Sequence, residues 1–209
     1  MAKCNRKRKD PLPEVLIITE GEKTEPAYLK DVKDYLKSTG ASGKKITRLL
    51  QITDNGKKTS PRKILETAIK ERKSGVPYVF IVIDDDDRKE SRDVLAESLY
   101  PQTVPEVSND KINCIYSNPC FEYWALLHFS TSEKECASGE LTEILSKYMP
   151  LYSKRNKVFI YNAMQKTEDK AAKLATKIRQ NHQLTGKAWD RPSTNVDVLL
   201  AFIKEHFKV

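Results

Sequence analysis

An apolar run that ends in four consecutive aspartates is the feature that most constrains this chain. The run covers residues 78–83, and the aspartates are residues 84–87. Because the run is apolar without polar alternation, it is typical of a strand that helices cover on both faces, as in a parallel sheet. Ligands of such α/β proteins bind beyond the carboxyl ends of the strands. The acidic residues therefore begin where a protein of this class places its functional site.

A second apolar run of the same kind, residues 15–19, also ends in acidic residues, the first of which is Glu20, followed by Gly21. If the first and third strands are neighbours, Glu20 and the four aspartates meet at the point where the strand order reverses. Side chains alternate along an extended segment, so Asp84 and Asp86 are expected on one side. Three converging carboxylates favour Mg²⁺ or Mn²⁺, since these ions prefer oxygen ligands.

The remaining pattern predicts an α/β fold with a parallel four-stranded sheet flanked by helices. A loop at 40–45 precedes a predicted strand at 46–52, and a fourth strand is expected at 112–116. Asn118 before a proline predicts a helix that starts there and runs to residue 129. The other predicted helices start near 26, 60 and 93 and lie at 140–149, 166–183 and 193–207, with Ser193 or Thr194 capping the last. The expected organisation is a basic mobile tail (1–10), an α/β domain (11–130) and a helical C-terminal portion (131–209) packed on the same domain.

The net charge of the chain indicates nucleic acid as a partner. The 209 residues include 37 lysines and arginines against 29 acids, a net charge of +8. A basic chain with an acidic cluster is typical of a protein that binds nucleic acid outside a metal-binding cleft, although basic faces are often only solvated. The four cysteines form no CxxC pair, which favours reduced thiols in the cytoplasm. No apolar stretch suits a membrane span or a secretion signal.

Four segments together resemble the RloB family, whose members have a Toprim-like (Rossmannoid) domain like that of topoisomerases, primases and OLD-type nucleases. The segments are 18–25 (ITEGEKTE), 83–87 (IDDDD), 117–129 (SNPCFEYWALLHF) and 192–196 (PSTNV). The chain departs from the family pattern at Asp85, where a basic residue is expected, and at Arg88, where a histidine is common. Asp85 is expected to make the site more acidic.

The resemblance implies a metal-dependent nuclease of DNA or RNA in prokaryotic anti-phage defence, acting with an ATPase partner of the ABC or AAA type. By matching positions, Glu20 is the general base or a metal ligand, and Asp84 and Asp86 bind the metal ion. Lys23 either contacts the scissile phosphate or pairs with Glu22. Self-association is left open by the sequence.

Other residues have less specific roles. Glu122, about one turn into an apolar helix, is expected to bind the metal ion or to contact a residue that does, because such carboxylates are rarely unpaired. Five more are expected in or beside the site: Gly21, Glu25, Asp87, Asn118 and His128, the last of them in the core. Six basic residues are candidates for nucleic-acid binding: Arg6, Lys7, Arg8, Lys170, Lys173 and Lys177. The alternative function is a non-catalytic subunit that uses the acidic pocket to bind or regulate a partner.

Overall fold

The computed structural model describes residues 12–39, 43–54, 60–85, 88–131, 137–150, 152, 161–184 and 191–208. The strands are β1 (Val15–Thr19), β2 (Leu50–Asp54), β3 (Tyr78–Asp84), β4 (Ile112–Asn118) and β5 (Ser193–Thr194). The helices are α1 (Thr24–Ser38), α2 (Gly43–Leu49), α3 (Pro61–Lys73), α4 (Lys89–Glu97), α5 (Glu122–Leu127), α6 (Ser138–Tyr148), α7 (Tyr161–Gln165), α8 (Glu168–Leu184) and α9 (Val196–Phe207). The fold is α/β, as predicted.

The described strands form one sheet in the order β2-β1-β3-β4-β5. The first four are parallel and β5 pairs antiparallel with β4. The prediction that the first and third strands are adjacent in the sheet is confirmed. The chain leaves β1 for β2 on one side and then crosses to β3 on the other, so the strand order reverses between β1 and β3.

Two apolar layers cover the sheet. Every residue of β1 is buried, and its side chains alternate between the layers. Val15 and Ile17 pack with α1, α5 and α9, whereas Leu16 and Ile18 pack with α3 and α4. Both faces of the sheet are therefore shielded from water, which explains why its central strands are continuous apolar runs in the sequence.

Three predictions about elements were wrong. The described residues form a sheet of five strands rather than four, because Ser193 and Thr194 form β5 instead of capping α9. Residues from 43 to 49 are helical, and the second strand starts only at Leu50. Strand β4 continues to Asn118, and α5 starts at Glu122, so Asn118 is not a helix cap.

The predicted basic tail (1–10) lies outside the described residues. Within the described part of the chain, no helix has both the length and the apolar character needed to cross a membrane.

Candidate functional site

The strand register brings the predicted acids to one edge of the sheet. Thr19 at the end of β1 is level with Val82 of β3, and the backbone N–H of Glu20 donates to the Val82 carbonyl at 2.9 Å. Asp84 at the end of β3 is level with Ser117 of β4. The carboxyl ends of three neighbouring strands thus lie side by side, and the acids that follow them share one rim.

Glu20 contacts the end of β3 directly. Its Oε2 accepts a hydrogen bond from the backbone N–H of Asp84 at 3.1 Å. Its Oε1 forms an ion pair with Nη2 of Arg88 at 2.7 Å, and the Glu20 side chain is only 12% exposed. The same Nη2 donates to the Asp84 carbonyl at 2.9 Å. Glu20 and Asp84 meet as the strand order predicts, and Arg88 bridges them.

Asp84 accepts two further hydrogen bonds, one at its carboxylate and one at its backbone carbonyl. Its carboxylate Oδ1 accepts the backbone N–H of Phe121 at 2.9 Å, and its carbonyl accepts the hydroxyl of Ser91 at 2.9 Å. Phe121 immediately precedes α5. The Asp84 carboxylate therefore joins the end of β3 to the start of the helix that follows β4.

Glu122, the first residue of α5 rather than one turn inside it, belongs to the same group of acids. It is 8% exposed, and the hydroxyl of Tyr152 donates to its Oε1 at 2.6 Å. Burial raises the pKa of the Cys120 thiol above its usual value, and the charges of Glu122 and Asp84 raise that pKa further. Both carboxylates consequently lie near one buried thiol.

Gly21 makes room for another carboxylate, that of Glu25. Glu25 is 4% exposed, and a Cβ on Gly21 would lie 2.0 Å from its Oε2. The hydroxyl of Thr19 donates to the Gly21 carbonyl at 2.9 Å and fixes the turn. Burial raises the pKa of Tyr152, with further contributions from Glu122 and Glu25. Glu25 therefore lies beside the acids of the site.

The donor set consists of carboxylate oxygens, which suits Mg²⁺ or Mn²⁺, and the Arg88 guanidinium shows that a cation is accepted at Glu20. Within the described ranges, no three acidic, histidine or cysteine side chains already stand in a metal-binding arrangement. Asp86 and Asp87 lie outside the described residues, so their predicted roles stay predictions.

Asp85 does not make this site more acidic, contrary to expectation. Its side chain is fully buried and turns to the other face of the sheet, where the hydroxyl of Tyr116 donates to its Oδ2 at 2.7 Å. Nε of Arg92 lies 3.5 Å from the same oxygen. Side chains continue to alternate between the two faces of the sheet through residue 85. Asp85 therefore fixes the end of β3 by contacts on the face opposite the candidate site.

The family assignment follows from comparison with known proteins. A family model described as RloB-like protein matches residues 15–203, which run from the first residue of β1 into α9. The chain belongs to the RloB-like family. Comparisons with curated proteins and with solved structures found no significant match.

Two other predicted residues of this RloB-like chain lie at the same rim with different surroundings. Lys23 is exposed immediately before α1, and its side chain forms no hydrogen bond or ion pair with the described residues, Glu22 included. Asn118 is fully buried at the end of β4, where it pairs with Ser193 of β5. Asn118 thus fixes the strand end next to the site.

His128 lies in the core. It is 1% exposed, its Nδ1 lies 2.9 Å from the Met164 carbonyl, and its ring meets that of Trp124 edge-on at 4.9 Å. Burial lowers the pKa of its imidazole to about 4, the hydrogen bond to Met164 opposes the shift, and the charge of Lys170 adds to it. His128 is therefore a neutral packing residue near pH 7.

The depressed pKa of His128 predicts a loss of stability in acid. Between about pH 6.5 and 4 the unfolded chain binds a proton that the folded chain does not, so stability present above pH 6.5 falls as the pH drops. At pH 5 the loss is about 2 kcal/mol. Urea unfolding at pH 7 and pH 5 checks this, with His128→Asn as the comparison. Between pH 7 and pH 5 the variant should lose about 2 kcal/mol less stability than the wild type. Equal losses in the two proteins would contradict the prediction.

Three of the six candidate nucleic-acid-binding residues lie within the described part of the chain. Lys170, Lys173 and Lys177 are all exposed along α8, whereas Arg179 of the same helix is 2% exposed. The three residues Arg6, Lys7 and Arg8 lie outside the described residues. The lysines of α8 form a solvent-facing row, and their role in binding stays a prediction.

Sequence reasoning noted Arg88 only as a departure from the family pattern and did not predict its ion pair with Glu20, and it missed Tyr152, whose hydroxyl donates to Glu122. The signal for the Arg88 contact was a basic residue directly after four aspartates. Tyr152 has no comparable signal, because it is distant in sequence from Glu122 and lies in no helix or strand.

Proposed function

We propose that this RloB-like protein is a divalent-metal-dependent nuclease with a Toprim-like site, which hydrolyses phosphodiester bonds of DNA or RNA. The observation that carries the proposal is the contact between the Glu20 carboxylate and the backbone of Asp84. Two acids separated by more than sixty positions meet where the strand order reverses, which is the usual ligand position in α/β folds.

In this proposal Glu20, Asp84 and Asp86 hold Mg²⁺ or Mn²⁺, with Glu122 as a further ligand or as a partner of a bound water. The bound ion would neutralise charge on the phosphate oxygens. The carboxylate of Glu20 or a neighbouring acid accepts a proton from the attacking water. The new P–O bond replaces the bond to the leaving sugar oxygen, which takes up a proton from solvent.

The net charge supports a polyanionic substrate. The chain carries +8 overall, while the site itself is lined by acids, so the attraction for nucleic acid must come from surfaces such as the lysine row on α8. Such binding weakens steeply with salt. An ATPase partner and a role in anti-phage defence belong to the same proposal and are expected from the family.

The direct test is incubation of the purified full chain with single- and double-stranded DNA and RNA, in Mg²⁺, Mn²⁺ or EDTA. Metal-dependent cleavage of at least one substrate is expected, abolished by EDTA. Calorimetry with each ion alone should show binding at millimolar concentration or tighter, because two or more carboxylates face the same rim.

A non-catalytic subunit is the second candidate, and one observation favours it. Arg88 already neutralises Glu20, and Tyr152 already occupies an oxygen of Glu122. Acids that already have partners within the chain do not need a metal ion, which is expected of a non-catalytic subunit. Absence of metal binding in the calorimetry would favour this function over the nuclease.

A further inference from the structure

The Glu20 carboxylate already has a cation, the guanidinium of Arg88. Nη2 of Arg88 lies 2.7 Å from Oε1 of Glu20, and the two side chains are 40% and 12% exposed. A carboxylate shielded from water to this degree needs a positive partner, because its own hydration is largely lost. Arg88 supplies that charge.

The two partners differ in their exposure to solvent. Glu20 is fixed by the backbone of Asp84 and by its position at the end of β1. Arg88, at the start of α4, also donates to the carbonyl oxygens of Asp84 at 2.9 Å and Asp85 at 3.4 Å. Its side chain is also the more exposed of the pair. Because solvent reaches the guanidinium more readily than the carboxylate, exchange with another cation would move Arg88 rather than Glu20.

We propose that Arg88 is an exchangeable counter-cation: it neutralises Glu20 when no metal ion is bound and leaves when Mg²⁺ or Mn²⁺ binds. The inference rests on the proposed function. A divalent ion on Glu20 and Asp84 repels a guanidinium at hydrogen-bond distance from the same carboxylate. The displaced guanidinium then lies at the rim of the site, where its paired donors suit a phosphate group of the substrate.

The test is calorimetric titration of the full chain with Mg²⁺ or Mn²⁺ alone. Arg88→Ala removes the competing cation, so its dissociation constant for the ion should fall by roughly tenfold, a normal coupling between two ligands of one site. Cleavage by the same variant should nevertheless be slower, because the phosphate contact is gone. Tighter metal binding together with slower cleavage is the expected signature.

Arg92→Ala is the matched control. Arg92 lies one turn further along α4 and contacts Asp85 on the other face of the sheet, so this variant removes the same charge without touching Glu20. Its metal affinity should stay within about twofold of wild type, because an exposed ion pair contributes little energy and Arg92 pairs with Asp85 rather than with a proposed metal ligand. Equal tightening in both arginine variants would overturn the proposal in favour of a general charge effect.

Unchanged or weaker metal binding by Arg88→Ala would also overturn it and make Arg88 a structural tie between β1 and β3. If the alanine variant folds poorly, as judged by its melting temperature, Arg88→Gln replaces it, since glutamine keeps a donor towards the Asp84 carbonyl without the charge. Absence of metal binding in every protein, wild type included, would instead refute the proposed function itself.

Discussion

Glu20→Gln is expected to lower the rate of metal-dependent cleavage by about 10²- to 10⁴-fold, the usual effect of losing a catalytic proton acceptor. Glutamine has nearly the same shape and can still accept the N–H of Asp84, so the strand ends should stay in place. What disappears is the negative charge that holds a cation and takes up a proton. Single-turnover cleavage at saturating Mn²⁺ measures the effect, and calorimetry should show weaker metal binding as well.

Glu22→Gln is the control for this prediction. Glu22 lies in the same turn, but it is exposed, so removing its charge should leave cleavage and metal affinity nearly unchanged. Asp84→Asn should behave like Glu20→Gln, because an amide oxygen can still accept the N–H of Phe121 while losing the charge. Wild-type rates in both Glu20→Gln and Asp84→Asn would refute the assignment of the site.

Arg179→Met is expected to lower the free energy of unfolding by about 3–5 kcal/mol, the usual cost of breaking a buried ion pair from one side. Arg179 and Asp197 have side chains only 3% and 8% exposed, and two bonds of 2.6 and 2.8 Å join them. The same guanidinium donates to the carbonyls of Thr194 and Gln102. Its loss leaves a carboxylate and two carbonyls without their donor, and urea denaturation measures the result.

Two further variants test whether the loss of stability comes from an uncompensated buried charge. Replacing both partners, as in Arg179→Met with Asp197→Leu, should recover much of the lost stability, because no uncompensated charge stays buried. The exposed pair Arg62–Glu97, with side chains 47% and 49% exposed, is the matched surface case, and Arg62→Met should barely move the unfolding midpoint. Equal shifts from Arg179→Met and Arg62→Met would show that burial does not govern the effect.

Much of the sheet was predictable because continuous apolar runs carry their own signal. The runs at 15–19 and 78–83 are buried strands in the structure, and the order of elements placed their acidic ends at one rim. The second strand was less predictable. Residues 46–52 mix apolar and polar types, and their first half is helical because Ile46, 1% exposed, packs into the core beside α1.

Strand β5 had no sequence signal of its own. It is two polar residues long, and it exists because β4 offers a free edge and Asn195 ties the segment to it. Oδ1 of Asn195 accepts the backbone N–H of Tyr116 at 2.8 Å, and the hydroxyls of Ser117 and Thr194 lie 3.0 Å apart. Contacts of this kind join residues nearly eighty positions apart, which local propensity does not report.

The sequence by itself determined that acidic residues follow buried parallel strands, since apolar runs and chain order depend only on neighbouring residues. Only the tertiary structure decided which groups each described acid contacts. It placed Arg88 on Glu20, turned Asp85 towards Tyr116 on the opposite face, and brought Glu122 near Asp84. The physical reason is that the charge state and pairing of a buried carboxylate depend on the groups within a few ångströms, and folding alone selects those groups.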